Sequence, residues 1–278
     1  MTVTFTIQSI NLGVMEILLD LYRRIFARTY FFRFNYLLLR FGLSGIGVLN
    51  YRNNRTSGEL YLIDIFLPSV IKSNRPLLLD VGANVGHFSQ LLLLRFPNSI
   101  IHCFEPHPNN FKHLQDNLSS PELVFHNVGL GDASTSKFLF DRKSENGSEH
   151  ASIYKDVISD IHKQETIQYE ITIKTLDQLS IDYKWDYIDY LKIDTEGHEL
   201  SVLRGASKIL NQNKIGIIHF EFNEMNVVSR VFFRDFRAIL FNYNLYRLLP
   251  NELLLLNDNI LTTEIFAYQN IVAIPKSR

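Results

Sequence analysis

The sequence predicts an α/β fold built on a mostly parallel sheet with helices on both faces, and three observations predict it. From Pro76 onward, short apolar runs of strand length alternate with stretches of helical periodicity. A glycine-containing turn, Asp80-Val-Gly82-Ala83-Asn84-Val-Gly86, joins the first run directly to a helix. Acidic residues then recur where successive runs end, at Asp80, Glu105, Asp132 and Asp194.

Taken in order, residues 60–71 suit a helix that stops near Ser73-Asn74. Pro76-Leu-Leu-Leu-Asp80 reads as a strand buried on both faces. Residues 87–96 form a helix stopped by Pro97, and 99–104 a strand. In 108–118, Phe111, Leu114 and Leu118 share one helical face. A third strand over 123–130 completes a βαβαβ order, which requires right-handed crossovers. Residues 132–164 are less regular, and their polar cluster at 141–149 reads as a surface loop, either an active-site lid or a solvated excursion. Ile167, Tyr169, Ile171 and Ile173 alternate as in a half-buried strand. A strand over 187–193, a helix over 199–210, a strand over 215–220 and a helix over 227–240 resume the parallel pattern. Strands at 245–249 and 265–274 are placed to pair as a terminal antiparallel hairpin.

The chain has 278 residues, 28 Lys+Arg against 29 Asp+Glu and a 46% hydrophobic fraction, enough for a sizeable core and too apolar for a disordered chain. Near-neutral charge argues against an extended nucleic-acid footprint. The lone Cys103 excludes an internal disulfide and a cysteine-built zinc site. A cytoplasmic protein is the expectation, because residues 1–10 lack the basic region of a secretory signal. Residues 1–55 read as a helical extension and 56–278 as the main domain, divided at the polar break Asn53-Asn54-Arg55-Thr56-Ser57-Gly58. Within the extension, Phe31, Phe32, Phe34 and Tyr36 lie beside Arg23, Arg24, Arg28 and Arg33. Three roles fit that composition: covering a neighbouring surface, peripheral membrane contact or a homodimer contact.

Ligands of open α/β sheets bind beyond the carboxyl ends of the strands. Gly82 and Gly86 let the backbone turn sharply there, flanking Ala83 and Asn84. Asn84 stands where a dinucleotide fingerprint requires its second glycine, and no Gly-Lys-Ser/Thr follows for a phosphate loop. A carboxylate at Asp80 suits an ammonium group and would repel a pyrophosphate. Glu105, in Phe104-Glu105-Pro106, is placed to accept ribose hydroxyls, and Asp132 to receive an adenine amino group. Together these features favour an adenosyl ligand carrying an amino acid.

Asp80-Val-Gly-Ala-Asn-Val-Gly86, Phe104-Glu-Pro106, Thr175-Leu-Asp177 and Leu191-Lys-Ile-Asp-Thr-Glu-Gly-His-Glu199 together resemble the FkbM family of S-adenosylmethionine-dependent methyltransferases. The resemblance covers roughly residues 58–276, and the last motif is the most specific. It implies a Rossmann-like, seven-stranded methyltransferase sheet. It also implies O-methylation of a sugar, glycolipid or small natural product. Asp80, Gly82 and Gly86 match the family's cofactor loop, Glu105 its ribose-binding acid, and Asp194 and Glu196 its acidic pair after the fourth strand.

Methyl transfer to a hydroxyl needs an in-line approach and a group to draw off the proton. Asp194, Glu196, His198 and Glu221 are the candidate catalytic residues. Period two sends Asp194 and Glu196 the same way if the backbone stays extended. Asp194 would position the hydroxyl or act as base, and His198 has the side chain best suited to proton removal near neutrality. A divalent metal bridging Asp194, Glu196 and Glu221 stays open, since hard cations prefer carboxylates. Glu199 is expected only to favour a helix start, Lys192 to form an ion pair, and His219 to be a satisfied core histidine. Two other functions compete: a catalytically silent cofactor-binding or membrane-docking module, and a nicotinamide-dependent oxidoreductase, which the missing glycine disfavours.

Overall fold

The computed structural model describes residues 12–142, 147, 151–157, 163 and 165–276. The chain divides into two compact units, Met1–Ile46 and Gly47–Arg278.

In the first unit a helix over Leu12–Phe26 is followed by a single 3-10 turn, Thr29–Phe31, and a helix over Phe32–Gly45. Asn35 fixes the turn between them. Its Nδ2 donates to the Phe26 carbonyl at 2.9 Å, and its Oδ1 accepts from the Tyr22 hydroxyl at 2.6 Å. The Phe26 ring packs edge-on against Phe31 and tilted against Phe34. No helix among the described residues is long and apolar enough to cross a membrane.

The second unit carries, among the described residues, eleven strands: β1 Leu77–Val81, β2 Ile100–Phe104, β3 Leu123–His126, β4 Gly129–Leu130, β5 Thr135–Arg142, β6 Thr166–Lys174, β7 Ile188–Ile193, β8 Ile215–Phe222, β9 Tyr243–Leu248, β10 Leu253–Leu255 and β11 Gln269–Pro275. Eight of them form one sheet in the order β10-β9-β11-β8-β7-β1-β2-β3, parallel from β8 to β3. β11 and β9 form the expected antiparallel pair, with β10 added at the edge. The order reverses between β1 and β7, the switch point where ligands of such sheets bind.

Period-two alternation builds a core on each face. Leu79, Ile193 and Phe220 point into one, under Leu200, Leu203, Phe233 and Phe236 of the later helices. Leu78, Tyr190 and Ile217 point into the other, covered by Leu62, Leu67, Phe88, Leu92 and Leu114. Both faces are therefore covered, and the strands are mostly apolar, with buried polar side chains such as Asp80, Lys192 and His219 among them.

Several elements differ from the expectation. The third strand breaks after His126, where Asn127 Nδ2 bonds instead to the Glu105 carbonyl at 2.9 Å. Gly129–Leu130 then joins a second, three-stranded sheet, β4-β6-β5. β5 escaped the sequence because one of its buried positions is the charged Asp141. The helix over Leu176–Asp182 spans two turns, too few for a visible period. The helix expected over 199–210 is two, Glu199–Arg204 and Ser207–Asn211. The one expected over 227–240 splits at Arg230, which takes φ 57°, a conformation no helix continues. Residues 47–55, expected to precede the main domain, belong to its compact unit. Leu49 N donates to the Tyr268 carbonyl at 2.8 Å, and the Tyr51 ring meets Tyr268 edge-on.

Candidate active site

A cavity of ≈ 600 Å³ opens where β1, β2, β7 and β8 end. Of the residues singled out from sequence, Gly82, Ala83, Asn84, Glu105, Pro106, Asp194, Glu196, His198 and Glu221 line it. Asp80, Gly86 and Asp132 do not.

The turn after β1 is set by backbone contacts. Gly82 has φ 83°, and a Cβ there would run into the carbonyl oxygen of Asp194, so only glycine lets the ends of β1 and β7 lie this close. Asn84 adopts φ 48°, tolerable for asparagine, and its N–H donates to Glu105 Oε2 at 2.8 Å. Glu105 Oε1 accepts from His107 N at 2.7 Å. Each carboxylate oxygen keeps a further lone pair for a ligand. Burial pushes Glu105 up to about 7, although both N–H donors pull the other way. Gly86 lies behind the wall, capping the helix His87–Arg95.

Asp132 requires a correction. Because β4 pairs with β6, the chain swings away from the cavity, and Asp132 N donates to Ser201 Oγ at 3.2 Å. Val128, Gly129 and Leu130 line the cavity instead, beside Leu139, Ala151 and Ile153 from the less regular stretch that flanks the polar cluster 141–149.

Asp80 is fully buried beneath the cavity. Its Oδ2 accepts from Ser89 Oγ at 2.6 Å, and its Oδ1 lies 4.0 Å from Lys192 Nζ. It therefore braces the floor where the sequence suggested direct contact with an ammonium. Lys192 Nζ reaches Asp194 Oδ2 at 2.9 Å and sits over the Phe88 ring. Burial favours the neutral amine, but Asp194, Asp80 and Glu59 outweigh it and hold Lys192 protonated. Burial raises Glu221 well above the usual carboxylate range, and the charges of Asp194 and Glu196 add to the rise.

After β7 the chain does not stay extended. Glu196 has φ 51° and Gly197 φ 97°, so Asp194 and Glu196 are placed by a turn and not by strand alternation. Glu199 does more than favour a helix start: its Oε1 accepts from Thr195 N, Thr195 Oγ1 and Gly197 N at 3.0, 3.1 and 3.0 Å. Ser152 Oγ ties the opposite segment to the same turn through the Glu196 carbonyl, at 2.8 Å. His198 is 3% exposed, and its Nδ1 lies 3.3 Å from the Tyr154 hydroxyl. Burial first and Lys137 second push it down to about 4, so it is a weak base at neutrality, contrary to the sequence expectation. His219 is the satisfied core histidine expected, between the Tyr190 hydroxyl and Asn270 Oδ1. Among the described residues no group of three or more His, Cys, Asp or Glu is arranged to hold a metal ion, so the bridging cation finds no support.

The methyltransferase FkbM domain model matches residues 80–248, more than half of the chain. The chain belongs to the FkbM family. Methyltransferase 1 of Beauveria bassiana (strain ARSEF 2860) is 29% identical over 142 residues, covering 46% of this chain and 57% of its relative. Methyltransferase sdnD of Sordaria araneosa is 26% identical over 160 residues, covering 49% and 62%. The matched stretch thus spans less than two thirds of either relative. The solved methyltransferase FkbM of Methylobacillus flagellatus KT superposes with TM-score 0.45 at 15% identity, over 77% of this chain and 47% of that one.

This FkbM-family site has a wall that the sequence reading missed. Tyr51, Asn54, Glu59 and Tyr268 line the cavity. Ser57 Oγ donates to Glu59 Oε2 at 3.0 Å, while burial raises Glu59 against the pull of Lys192. A polar, turn-rich stretch resembles a linker in sequence, and only its packing against residues near the chain's end reveals it as part of a site.

Proposed function

We propose that this FkbM-family chain methylates a hydroxyl oxygen on a sugar, glycolipid or small natural product, with S-adenosylmethionine as methyl donor. One observation carries the reading: Glu105, anchored by Asn84 N and His107 N, lines the same cavity as Asp194 and Glu221.

The residues fit such a donor. The cavity lies in the ordinary size range for small ligands. Asn84 Oδ1 is buried with no hydrogen-bond partner among the described residues, an acceptor available to a ligand. Asp194 and Glu196 on the wall outnumber the one ammonium of Lys192, a balance that suits a cationic ligand. When bound, S-adenosylmethionine supplies an electrophilic methyl on a sulfonium.

The chain's own groups do the rest. Glu105 accepts from ribose hydroxyls, and the turn Gly82–Asn84 lets the ligand approach the backbone. Lys192 holds the Asp194 carboxylate in place, ready to accept the acceptor's hydroxyl proton. Glu221, raised by burial above the usual carboxylate range, lines the same cavity and is within the set of groups that orient the hydroxyl.

Thermal unfolding with added ligand tests the proposal. S-adenosylhomocysteine at a hundred times its Kd should stabilise the chain by about 2.7 kcal/mol, and NADH should not. Stabilisation by NADH alone would overturn it. Transfer of labelled methyl to polyhydroxylated acceptors then tests the oxygen specificity, and labelling only of amines would refute that part.

A further inference from the structure

We infer that the helical unit at residues 12–46 docks on an anionic lipid surface, lying along it without spanning it. The inference is independent of the methyl-transfer reading.

Its two helices leave their large apolar side chains in solvent. Ile17 is 70% exposed, Tyr30 88%, Phe32 68% and Phe41 65%. In the helix over Leu12–Phe26, Ile17, Leu18 and Leu19 are all exposed, and three consecutive residues span about 200° of a helix, wider than one core-facing stripe. Helices apolar on most sides are covered by something in use, and exposed apolar patches of this kind mark protein or membrane contacts. The helix Leu12–Phe26 has 15 residues, about 22 Å at 1.5 Å per residue, short of a hydrocarbon core of about 30 Å. Over its described residues it is long enough to lie in the interface and too short to cross it.

Charge decides between a lipid surface and a second copy. Within 12–46 the arginines 23, 24, 28, 33 and 40 face only two acidic residues, Glu16 and Asp20. Self-association would set that positive excess against itself, whereas anionic headgroups neutralise it. Arginine also keeps its stem on apolar surface while its head stays in water, the behaviour an interfacial helix requires. Aromatic rings at Tyr30, Phe32 and Tyr36, interleaved with Arg28 and Arg33, complete the composition of a surface anchor.

Sedimentation of the full chain with vesicles tests this. Binding is expected to phosphatidylcholine vesicles containing phosphatidylglycerol, to weaken in high salt, and to be much weaker on phosphatidylcholine alone. Each of Arg24→Gln, Arg28→Gln and Arg33→Gln should weaken it by roughly fivefold. Phe32→Trp gives a second readout that needs no loss of binding: brominated lipid should quench the new indole, whereas Trp185, buried in the sheet unit, should stay unquenched. Equal binding to neutral and anionic vesicles, no binding to either, or an unquenched indole would overturn the inference. So would a lipid-free dimer that Phe41→Ser converts to monomer, because the helices would then cover each other.

Discussion

Lys192 Nζ lies 2.9 Å from Asp194 Oδ2 and completes an ion pair between two residues of the same strand end. Lys192 lies near the end of β7 and Asp194 directly follows it, and the ammonium also reaches within 4.0 Å of Asp80 on β1. One cation thus ties together the two strands that flank the switch point.

Lys192→Met should accordingly destabilise the chain by about 3 kcal/mol or more near neutral pH, since removing one member strands buried carboxylates without a counter-charge. The loss should shrink in acid, where those carboxylates take up protons. Urea unfolding of both proteins at two pH values checks this, and a loss equal at both would contradict the pairing.

Glu105→Gln carries a pH signature. The native carboxyl ionises at about 7, against 4.5 for an unperturbed glutamate, because burial penalises its charge. Between those values the folded chain holds a proton that the unfolded chain has released, so this group's contribution to stability falls as pH rises through the window. Glu105→Gln removes that slope, and its stability relative to the parent should improve from about pH 5 to about pH 8. His198 and His219, both pushed down to about 4 by burial, act in the opposite direction, but they are common to both proteins and cancel in the difference.

Much of this architecture was legible in the sequence because buried parallel strands are mostly apolar runs of strand length, as at 77–81, 100–104 and 188–193. The residues at their ends, Glu105 and Asp194, are singled out by where the strands stop together with the motifs that carry the family resemblance. What the sequence concealed depends on long-range packing. Asp132 leaves the cavity because β4 pairs with β6, some forty residues away in the chain. Glu59 and Tyr268 share the cavity wall although more than two hundred residues separate them. His198 is a suitable base by residue type, and only its burial beside Lys137 makes it a poor one.

Glu105→Ala and Asp194→Asn should separate binding from turnover. Glu105 sits at the turn that would hold the donor, so its loss should raise the Kd for S-adenosylhomocysteine with the fold intact. Asp194 accepts the proton in the proposed reaction, so Asp194→Asn should lower kcat by about 10²–10⁴-fold and leave that Kd nearly unchanged. Calorimetric titration and labelled-methyl transfer measure the two effects. Equal weakening of ligand binding in both variants would contradict the division of roles.

Glu199 offers the sharpest test of how the site is held. Its Oε1 gathers the donors of Thr195 and Gly197, shaping the turn that carries Asp194 and Glu196. Glu199→Ala removes that acceptor from a site 1% exposed to solvent and leaves buried donors without partners, at a cost of about 2–4 kcal/mol. Glu199→Gln keeps a carbonyl oxygen that can receive the same bonds, so it should cost less and recover most of kcat. A merely space-filling side chain would make the two variants differ little in kcat. The expected order in both melting temperature and kcat is parent, then Glu199→Gln, then Glu199→Ala, and a Glu199→Gln protein as slow as the alanine variant would show that the turn does not depend on this acceptor.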